Sequence, residues 1–498
     1  MQKIMDINNS VFSYIVSNEK VNVFNEEKIF CNNRYYINHS QNTSVQIKKY
    51  RSKEIALIGF CIDSHCKISM DKITEAILLY SIEESDNIVD IYRFCNRFAG
   101  KYVIFWCDDT SSSTPVLWVF GDATCSLQIN YVFLNNYFYV ASSDNLISNH
   151  LNLKKDKNVE KIRKGSDLLQ PLPYNITIFE KMYALLPNHV LNIQNKRVER
   201  VSISEEVCIT PRNIDILIHD TIDLIKGITN EYYQNNKLVC PLTSGYDSRA
   251  VLAFLYNNNH NIECYTFKHN NIGEEMGDRF VPEQICETLG LKHHWIGEKQ
   301  CDNEVKLGIQ KIIGEHYADM IIDWAYMFKE KFPDRTMING DIIGQICKSG
   351  FGNTIPYNLA NSYYFQCKLH NKDKNTREEI KKHIEEIKKI RDGKYIYDLF
   401  AIESRLGRWA SQREMIYSIC GVKSLNIFNC REVILKWISI PRELRSQYIV
   451  HNIIFSDLLP QLSSIPFNTG QTNNLEIIAK KFWPLYYLGT FLKHFLKD

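Results

Sequence analysis

The spacing of apolar and polar residues divides this chain into a strand-rich first part and a second part in which strands alternate with helices. In the first two hundred residues, short runs of β-branched and aromatic residues are separated by turn-forming pairs such as Asp108-Asp109 and Asn135-Asn136. Strands are predicted over residues 55–62, 101–107, 116–120, 131–134 and 137–141, and a hairpin over 190–201. This pattern predicts an antiparallel domain dominated by sheet.

The period of the pattern changes at about residue 213. Apolar residues spaced three and four apart over residues 214–229 predict a helix. Further on, strands predicted over 238–242, 262–267 and 294–296 alternate with helices that begin near Ser248 and Pro282. From about Arg377 onward the pattern is mainly helical. Strands that alternate with helices predict a parallel sheet covered by helices, so the predicted fold class is α/β, with two domains over residues 1–205 and 206–498.

Length and composition narrow the class of protein. A chain of 498 residues exceeds the size of one ordinary hydrophobic core, which supports the division into domains. Hydrophobic residues make up 45% and charged residues 23%, a balance that excludes wholesale disorder. The 59 basic and 57 acidic residues nearly cancel, so the net charge gives no reason to expect nucleic acid as a partner.

Cysteine usage and the chain ends indicate a cytoplasmic protein. The 15 cysteines include no Cys-x-x-Cys pair, which favours reduced, core-packing thiols over a disulfide framework or a zinc site. The first residues carry no cationic segment followed by an apolar one, so no signal peptide is expected, and no apolar run approaches the roughly 20 residues that span a bilayer. The aromatic segment 482–498 is expected to dock onto the protein's own core.

Residues 238–255, LVCPLTSGYDSRAVLAFL, place a small polar cluster between two apolar runs. A strand that opens through such a loop into a helix forms an anion cradle, because backbone N–H groups and the positive end of the helix dipole meet there. Ser244 and Ser248 can bind phosphate oxygens, and Gly245 lets a ligand approach the backbone. Asp247 beside a phosphate requires a cation, and Mg²⁺ suits that position. The alternative interpretation is an ordinary N-capped helix.

The Ser-Gly-Tyr-Asp-Ser loop resembles the Ser-Gly-Gly-x-Asp-Ser pyrophosphate loop of the ATP pyrophosphatases, and more narrowly of the asparagine synthetase family, with Tyr246 at the second glycine. Other segments resemble the same family in order and spacing. They are ECYTF (263–267), GDRFVPEQICETLGLKHHW (277–295), MINGDIIG (337–344), and upstream RFAGKYVIFW (97–106), VFGDATCSLQINYVF (119–133), YVASSDNLI (139–147) and LPNHVLNI (186–193). The resemblance spans nearly the whole chain.

The resemblance implies a degenerate N-terminal glutaminase-like domain of the Ntn-type αββα sandwich and a C-terminal synthetase domain with a PP-loop. In that family the synthetase domain uses ATP and Mg²⁺ to adenylate a carboxylate, and an amine then displaces AMP. The residues implied at the nucleotide are Leu242, Ser244, Gly245, Tyr246, Asp247, Ser248, Phe267, Asn339 and Gly340, with Asp247 as the metal ligand. Asp341 is the implied general base or amine-orienting acid.

The first departure from the family lies at the N-terminus. The family's glutaminase uses an N-terminal cysteine, whereas Gln2 follows Met1 here and the nearest cysteine is Cys31. Glutaminase activity is therefore not expected, because no N-terminal thiol nucleophile can form. The N-terminal domain is interpreted as a retained scaffold.

Further departures lie in the synthetase part. Gly344 and Gln345 stand where the family has Asp and Glu, so Asp247 lacks its usual carboxylate partner on Mg²⁺, with Asp278 and Asp341 left as candidates to compensate.

The family's late lysine position falls near Tyr448, with Gln447 and His451 adjacent and no lysine present. Lys348 is the candidate catalytic substitute, and a surface lysine is the alternative interpretation.

The expected function is ATP-dependent amide synthesis on a small-molecule or peptide carboxylate, such as a sugar acid of a surface polysaccharide, with ammonia or a substrate amine as nucleophile. Two alternatives remain open. One is a peptide-cyclising amide ligase like the family's lasso-peptide and β-lactam branches. The other is a non-catalytic nucleotide-binding or interaction protein. A homodimer is also left open.

Overall fold

The computed structural model describes residues 7–110, 115–164, 171–207, 213–268, 277–297, 301–314, 319–348, 355–390, 392–467 and 482–496. The strands are β1 (Tyr14–Ser17), β2 (Glu26–Phe30), β3 (Tyr35–His39), β4 (Val45–Tyr50), β5 (Lys53–Asp63), β6 (Phe98–Asp108), β7 (Val116–Gly121), β8 (Asn130–Leu134), β9 (Tyr137–Ala141), β10 (Met182–Ala184), β11 (His189–Asn192), β12 (Arg197–Arg200), β13 (Leu238–Pro241), β14 (Cys264–Phe267), β15 (His293–Ile296), β16 (Thr336–Asn339) and β17 (Ser424–Asn426).

Helices lie between these strands and after the last of them. They are α1 (Ile73–Glu83), α2 (Ile88–Phe94), α3 (Asp144–Leu151), α4 (Lys157–Lys164), α5 (Ile214–Asn235), α6 (Tyr246–Asn258), α7 (Val281–Leu289), α8 (Asn303–Ile313), α9 (Asp319–Lys331), α10 (Asp341–Ile346), α11 (Ser362–Lys368), α12 (Lys374–Lys389), α13 (Ile396–Phe400), α14 (Ser411–Ile419), α15 (Arg431–Ser439), α16 (Arg442–Arg445), α17 (Ile449–Leu458) and α18 (Trp483–Leu496). A π-helical stretch, Ala401–Ala410, joins α13 to α14.

The first two hundred residues form two antiparallel sheets of six strands each. Their strand orders are β10-β8-β9-β1-β3-β2 and β12-β11-β7-β6-β5-β4. The five strands and the hairpin predicted in this part are confirmed as β5 to β9 and as β11–β12. The charged stretch over residues 154–165 contains α4.

Burial on both faces explains why β5 reads as a continuous apolar run instead of an alternating one. Ala56 and Ile58 face the first sheet and share its core cluster. Ile55 and Leu57 face the other way and pack in the cluster that includes residues of α1 and α2. Successive residues of a strand point to opposite faces, so a strand with apolar cover on both sides needs apolar residues at every position.

One expectation about the cysteines is wrong. Cys31, in the turn after β2, and Cys107, on β6, form a disulfide with sulfurs 2.09 Å apart. The prediction of reduced thiols failed here because the pair is 76 residues apart in sequence and only the stacking of the two sheets brings it together. The other described cysteines are free, and all of them except Cys66 are buried.

The second part of the chain contains a parallel sheet in the order β15-β14-β13-β16-β17. The predicted α/β class is therefore confirmed, and the predicted strands of this region correspond to β13, β14 and β15. The strands β16 and β17 were not predicted. Parallel strands present their carboxyl ends at one edge, so the segments that follow β13 and β16 lie side by side there. The domain boundary at residues 205 and 206 stays a prediction.

The C-terminal helix docks as expected, through one side only. Tyr487 stacks on Tyr364 of α11 with ring centroids 5.1 Å apart, and Phe491 stacks on Tyr363 at 5.3 Å. Among the described residues, no helix combines the length and the apolar character that crossing a bilayer requires.

A buried charge network joins the hairpin β11–β12 to the π-helical stretch. The carboxylate of Glu403 is 0% exposed and accepts hydrogen bonds from Arg200 Nη1 at 2.6 Å, His383 Nε2 at 2.6 Å and Asn188 Nδ2 at 2.9 Å. Burial raises the pKa of Glu403, but the charge of Arg200 and the hydrogen bond from His383 outweigh burial and hold that pKa well below its usual range. The first and last parts of the chain are thus joined by an ion pair buried from water.

The network makes the protein sensitive to acid. Burial lowers the pKa of His383 to about 4, although the hydrogen bond with Glu403 acts in the opposite direction. An unfolded histidine titrates near 6.5, so protonation below that pH favours the unfolded chain. His383 therefore stabilises the fold fully above pH 6.5, and about 3 kcal/mol of stability is lost as the pH falls to 4. Urea unfolding midpoints measured from about pH 7.5 to about 4.5 check this loss.

The control separates His383 from the other histidines. His383→Phe is expected to flatten the pH dependence, whereas His260→Phe, which replaces an exposed histidine, is expected to keep the full slope. Equal slopes in wild type and His383→Phe would contradict the assignment.

Candidate functional site

The loop between β13 and α6 lies at the carboxyl end of the central strand of the parallel sheet. Leu242 is fully buried, and its N–H donates to the carbonyl of Tyr265 at 2.8 Å, so the strand pairing continues up to the loop. The Ser248 hydroxyl oxygen then accepts from the Thr243 N–H at 3.0 Å and lies 2.8 Å from Thr243 Oγ1. This contact joins the two ends of the loop, so Ser248 stabilises the conformation of the loop.

The loop already binds an oxygen anion of the protein itself. The N–H of Ser244 donates to Asp278 Oδ1 at 2.6 Å. The next N–H, that of Gly245, donates to Thr243 Oγ1 at 3.2 Å. The loop thus presents an N–H group to a carboxylate, and a phosphate group bound to Ser244 N–H would replace the carboxylate of Asp278.

Tyr246 fills the position of the family's second glycine with an aromatic ring. The ring lies between Tyr448 and Phe467, each with a centroid distance of 4.1 Å and interplanar angles of 19° and 11°. Parallel aromatic faces at this spacing pack well and add specific stabilisation. The stack ties the start of α6 to the segments on either side of α17.

Arg249 of α6 connects the loop to the segment that contains Phe467. It is fully buried, and it donates to the carbonyls of Ile465 at 2.9 Å and Ser244 at 3.2 Å. Its guanidinium also lies 4.1 Å from the ring centroid of Phe467. These contacts give Arg249 the role of holding residues 465–467 against the loop.

Asp247 is bound by two basic side chains. Lys348 Nζ donates to Asp247 Oδ2 at 2.7 Å, and His451 Nε2 lies 3.1 Å from Asp247 Oδ1. Burial raises the pKa of Asp247, but the hydrogen bond from His451 and the charge of Lys348 outweigh it and lower that pKa. Burial also lowers the pKa of His451, so its ring is neutral and donates through Nε2. The structure thus brings the predicted Asp247 and Lys348 together.

This set of side chains does not fit a magnesium ion as it stands. Magnesium takes six oxygen ligands at close range, usually one or two carboxylates with phosphates and waters. Both oxygens of Asp247 are engaged by nitrogen donors, and a Cβ at Gly344 would lie 2.3 Å from Asp247 Oδ2. Within the described ranges, no group of three or more His, Cys, Asp or Glu residues could hold a metal ion.

Asp341 begins α10, directly after β16, and is held by an arginine that sequence reasoning missed. Arg413 of α14 pairs with both carboxylate oxygens of Asp341, one of them at 3.4 Å. Asp341 and Ser411 also line a cavity of about 20 Å³, large enough for one water. Nothing in the sequence near Arg413 marks this pairing, since the two residues are 72 positions apart.

Three other predicted residues make contacts within the fold. Asn339 donates to Glu414 Oε1 and Ser424 Oγ, both at 2.6 Å. Gly340 lies against α6, where a Cβ would be 3.2 Å from the carbonyl oxygen of Asp247. Phe267 ends β14 and stacks on Trp324 with centroids 5.9 Å apart. Their roles toward a nucleotide stay predictions.

Comparison with known proteins gives little to add to this geometry. No protein-family model and no curated protein matches the chain. Among solved structures, 23 chains match. One of them is the Bacillus subtilis glutamine phosphoribosylpyrophosphate amidotransferase complexed with ADP and GMP, at 12% identity and a TM-score of 0.23 over 54% of this chain and 62% of that chain. The chain thus matches less than two thirds of the length of that protein.

Proposed function

We propose that this chain binds ATP at the loop between β13 and α6 and uses it to activate a carboxylate for amide formation. The observation that carries the proposal is the position of this loop. It joins the central parallel strand to a helix, and its Ser244 N–H binds an anionic oxygen at 2.6 Å. A helix N-terminus at the carboxyl end of a parallel strand is a common phosphate site, and here a phosphate would take the place of Asp278 on the Ser244 N–H.

The proposed reaction has two steps. An oxygen of the substrate carboxylate attacks the α-phosphorus of ATP, and pyrophosphate leaves. An amine then attacks the acyl carbon, and AMP leaves as the amide bond forms. The loop N–H groups and the Lys348 ammonium offset the negative charge of the departing pyrophosphate. Asp341, paired with Arg413, orients the amine and accepts its proton.

The N-terminal part is proposed to be a scaffold of the glutaminase type that has no glutaminase activity. Two packed antiparallel sheets with helices on their outer faces support that comparison. The sulfur of Cys31 is bonded to that of Cys107. A thiol held in a disulfide is no nucleophile. The amine therefore comes from solution or from the substrate. A cytoplasmic location and a homodimer stay predictions.

The second candidate is a protein that binds ATP and does not turn it over. The observation that favours it is the engagement of Asp247 by Lys348 and His451, which takes up the carboxylate that would serve a metal ion. Without a divalent cation, the cleavage of ATP to AMP and pyrophosphate would have only the charges of the protein to stabilise it.

Pyrophosphate release distinguishes the two candidates. We expect release when ATP, a divalent cation, an amine and a matching carboxylate are supplied together, and the panel of carboxylates includes sugar acids and peptides. ATP binding without pyrophosphate release from any member of the panel would favour the second candidate, and no ATP binding would contradict both.

A variant of the loop ties either result to this site. Ser248→Ala removes the contact that closes the loop and is expected to weaken ATP binding about tenfold. A tenfold change in Kd corresponds to about 1.4 kcal/mol, which is the size of one lost hydrogen bond. Ser456→Ala, on the exposed side of α17, is the matched control and is expected to leave binding unchanged.

A further inference from the structure

The group formed by Asp247, Lys348 and His451 places an ammonium beside the first turn of α6, directly after the loop. We propose that the ammonium of Lys348 takes the place of a divalent cation here, so that the chain binds the phosphates of ATP without magnesium. The inference rests on the proposed nucleotide site and goes beyond it, because it states which ionic form of the nucleotide the site accepts.

The ammonium is held firmly on one side and open on the other. Asp247 accepts its hydrogen bond at 2.7 Å, and His451, 0% exposed, holds the second oxygen of the same carboxylate. The side chain of Lys348 remains 25% exposed. A lysine ammonium has three N–H donors, and its contact with Asp247 uses one of them. Among the described residues Lys348 Nζ makes no second hydrogen bond, which leaves donors for phosphate oxygens.

The nearby carboxylates cannot assemble a metal site without breaking contacts. Asp278 is bound to the N–H of Ser244, and Asp341 is paired with Arg413. A side chain at Gly344 would collide with Asp247 Oδ2, so position 344 cannot supply a second carboxylate while Asp247 keeps its position. Among the described residues, the two acids that could compensate for the missing partner of Asp247 are therefore engaged with nitrogen donors.

The charges give the preference its sign. Lys348 and Asp247 form an ion pair with 2.7 Å between the ammonium nitrogen and Oδ2. The loop then offers one ammonium and the positive end of α6 to the phosphates. A magnesium ion on the same phosphates would face the ammonium at short range, where like charges repel. Free ATP should therefore bind at least as well as its magnesium complex.

Isothermal titration of the full chain with ATP, once in excess EDTA and once in excess MgCl₂, tests this. We expect the Kd in EDTA to be equal to or lower than the Kd in magnesium. Lys348→Met should weaken binding in EDTA roughly 10- to 100-fold, the range of a charged hydrogen bond, and magnesium should not restore it. Lys348→Arg keeps the charge and should retain most of the affinity. Lys226→Met, an exposed lysine of α5, is the matched control.

The outcomes separate this inference from the proposed function. Magnesium that tightens binding more than about tenfold, or a Lys348→Met protein with unchanged affinity, would overturn the inference and leave the nucleotide site standing. Absence of ATP binding in both buffers would overturn both. As a second readout, Mn²⁺ should show no binding to the protein without nucleotide in equilibrium dialysis, and stoichiometric binding lost in Asp247→Asn would contradict the inference.

Discussion

Replacing Glu403 by glutamine is expected to lower the free energy of unfolding by about 3–5 kcal/mol, because removal of one member of a buried ion pair leaves the other charge without compensation. The side chain of Arg200 is 2% exposed and that of Glu403 is 0% exposed, so water cannot solvate the guanidinium that loses its partner. The neighbouring Glu386 lies 3.3 Å from Arg200, but its side chain is 48% exposed and supplies a weaker partner. Urea unfolding at neutral pH measures the difference.

Two further variants test the interpretation. Glu199→Gln changes a partly exposed acid of β12, the strand that carries Arg200. Its carboxylate lies 3.9 Å from Arg197, and the change is expected to alter stability by no more than about 0.5 kcal/mol. Combining Glu403→Gln with Arg200→Met removes both charges, and part of the loss should then be recovered. If Glu403→Gln alone unfolds at the same urea concentration as wild type, the buried pair contributes nothing to stability.

Replacing Asp341 by asparagine is expected to reduce amide formation roughly 10²- to 10⁴-fold, the usual contribution of a positioned general base. The reason is its place at the start of α10, beside the loop and held by Arg413. The exchange of labelled pyrophosphate into ATP should continue, because Asp341 acts on the amine after the carboxylate has been activated. Product measured by mass spectrometry and pyrophosphate exchange measured on the same sample show the split.

The control for this variant is Asp334→Asn, an exposed acid just before β16. It should leave both measurements unchanged. Loss of exchange together with product in Asp341→Asn would assign the residue to activation instead of amine transfer. Full activity in Asp341→Asn would show that the carboxylate serves only as the partner of Arg413.

The sequence pattern predicted elements better than it predicted partners. The strands β5 and β6 and the loop after β13 could be predicted because their own residues carry the signal: continuous burial in the strands, and small polar residues between two apolar runs in the loop. Asp247 could be predicted as a site residue because it lies in that same polar segment.

The pattern could not predict which distant side chains contact the residues of the site. Lys348 is 101 positions and His451 is 204 positions from Asp247, and their meeting depends on how α10 and α17 pack on α6. Periodicity reports the burial of a segment and carries no information about the neighbour that covers it. The disulfide between Cys31 and Cys107 was missed for the same physical reason.

The buried network of Glu403 also has a consequence for protein synthesis. Arg200 leaves the ribosome 203 residues before Glu403, and Lys101 leaves it 313 residues before its partner Glu414. At 5–20 residues per second, roughly 10–40 s pass before Arg200 can meet its counter-charge. During that time, Arg200 and Lys101 of the nascent N-terminal part lack the carboxylates that later pair with them. The buried network should therefore be completed only after Glu403 has been synthesised.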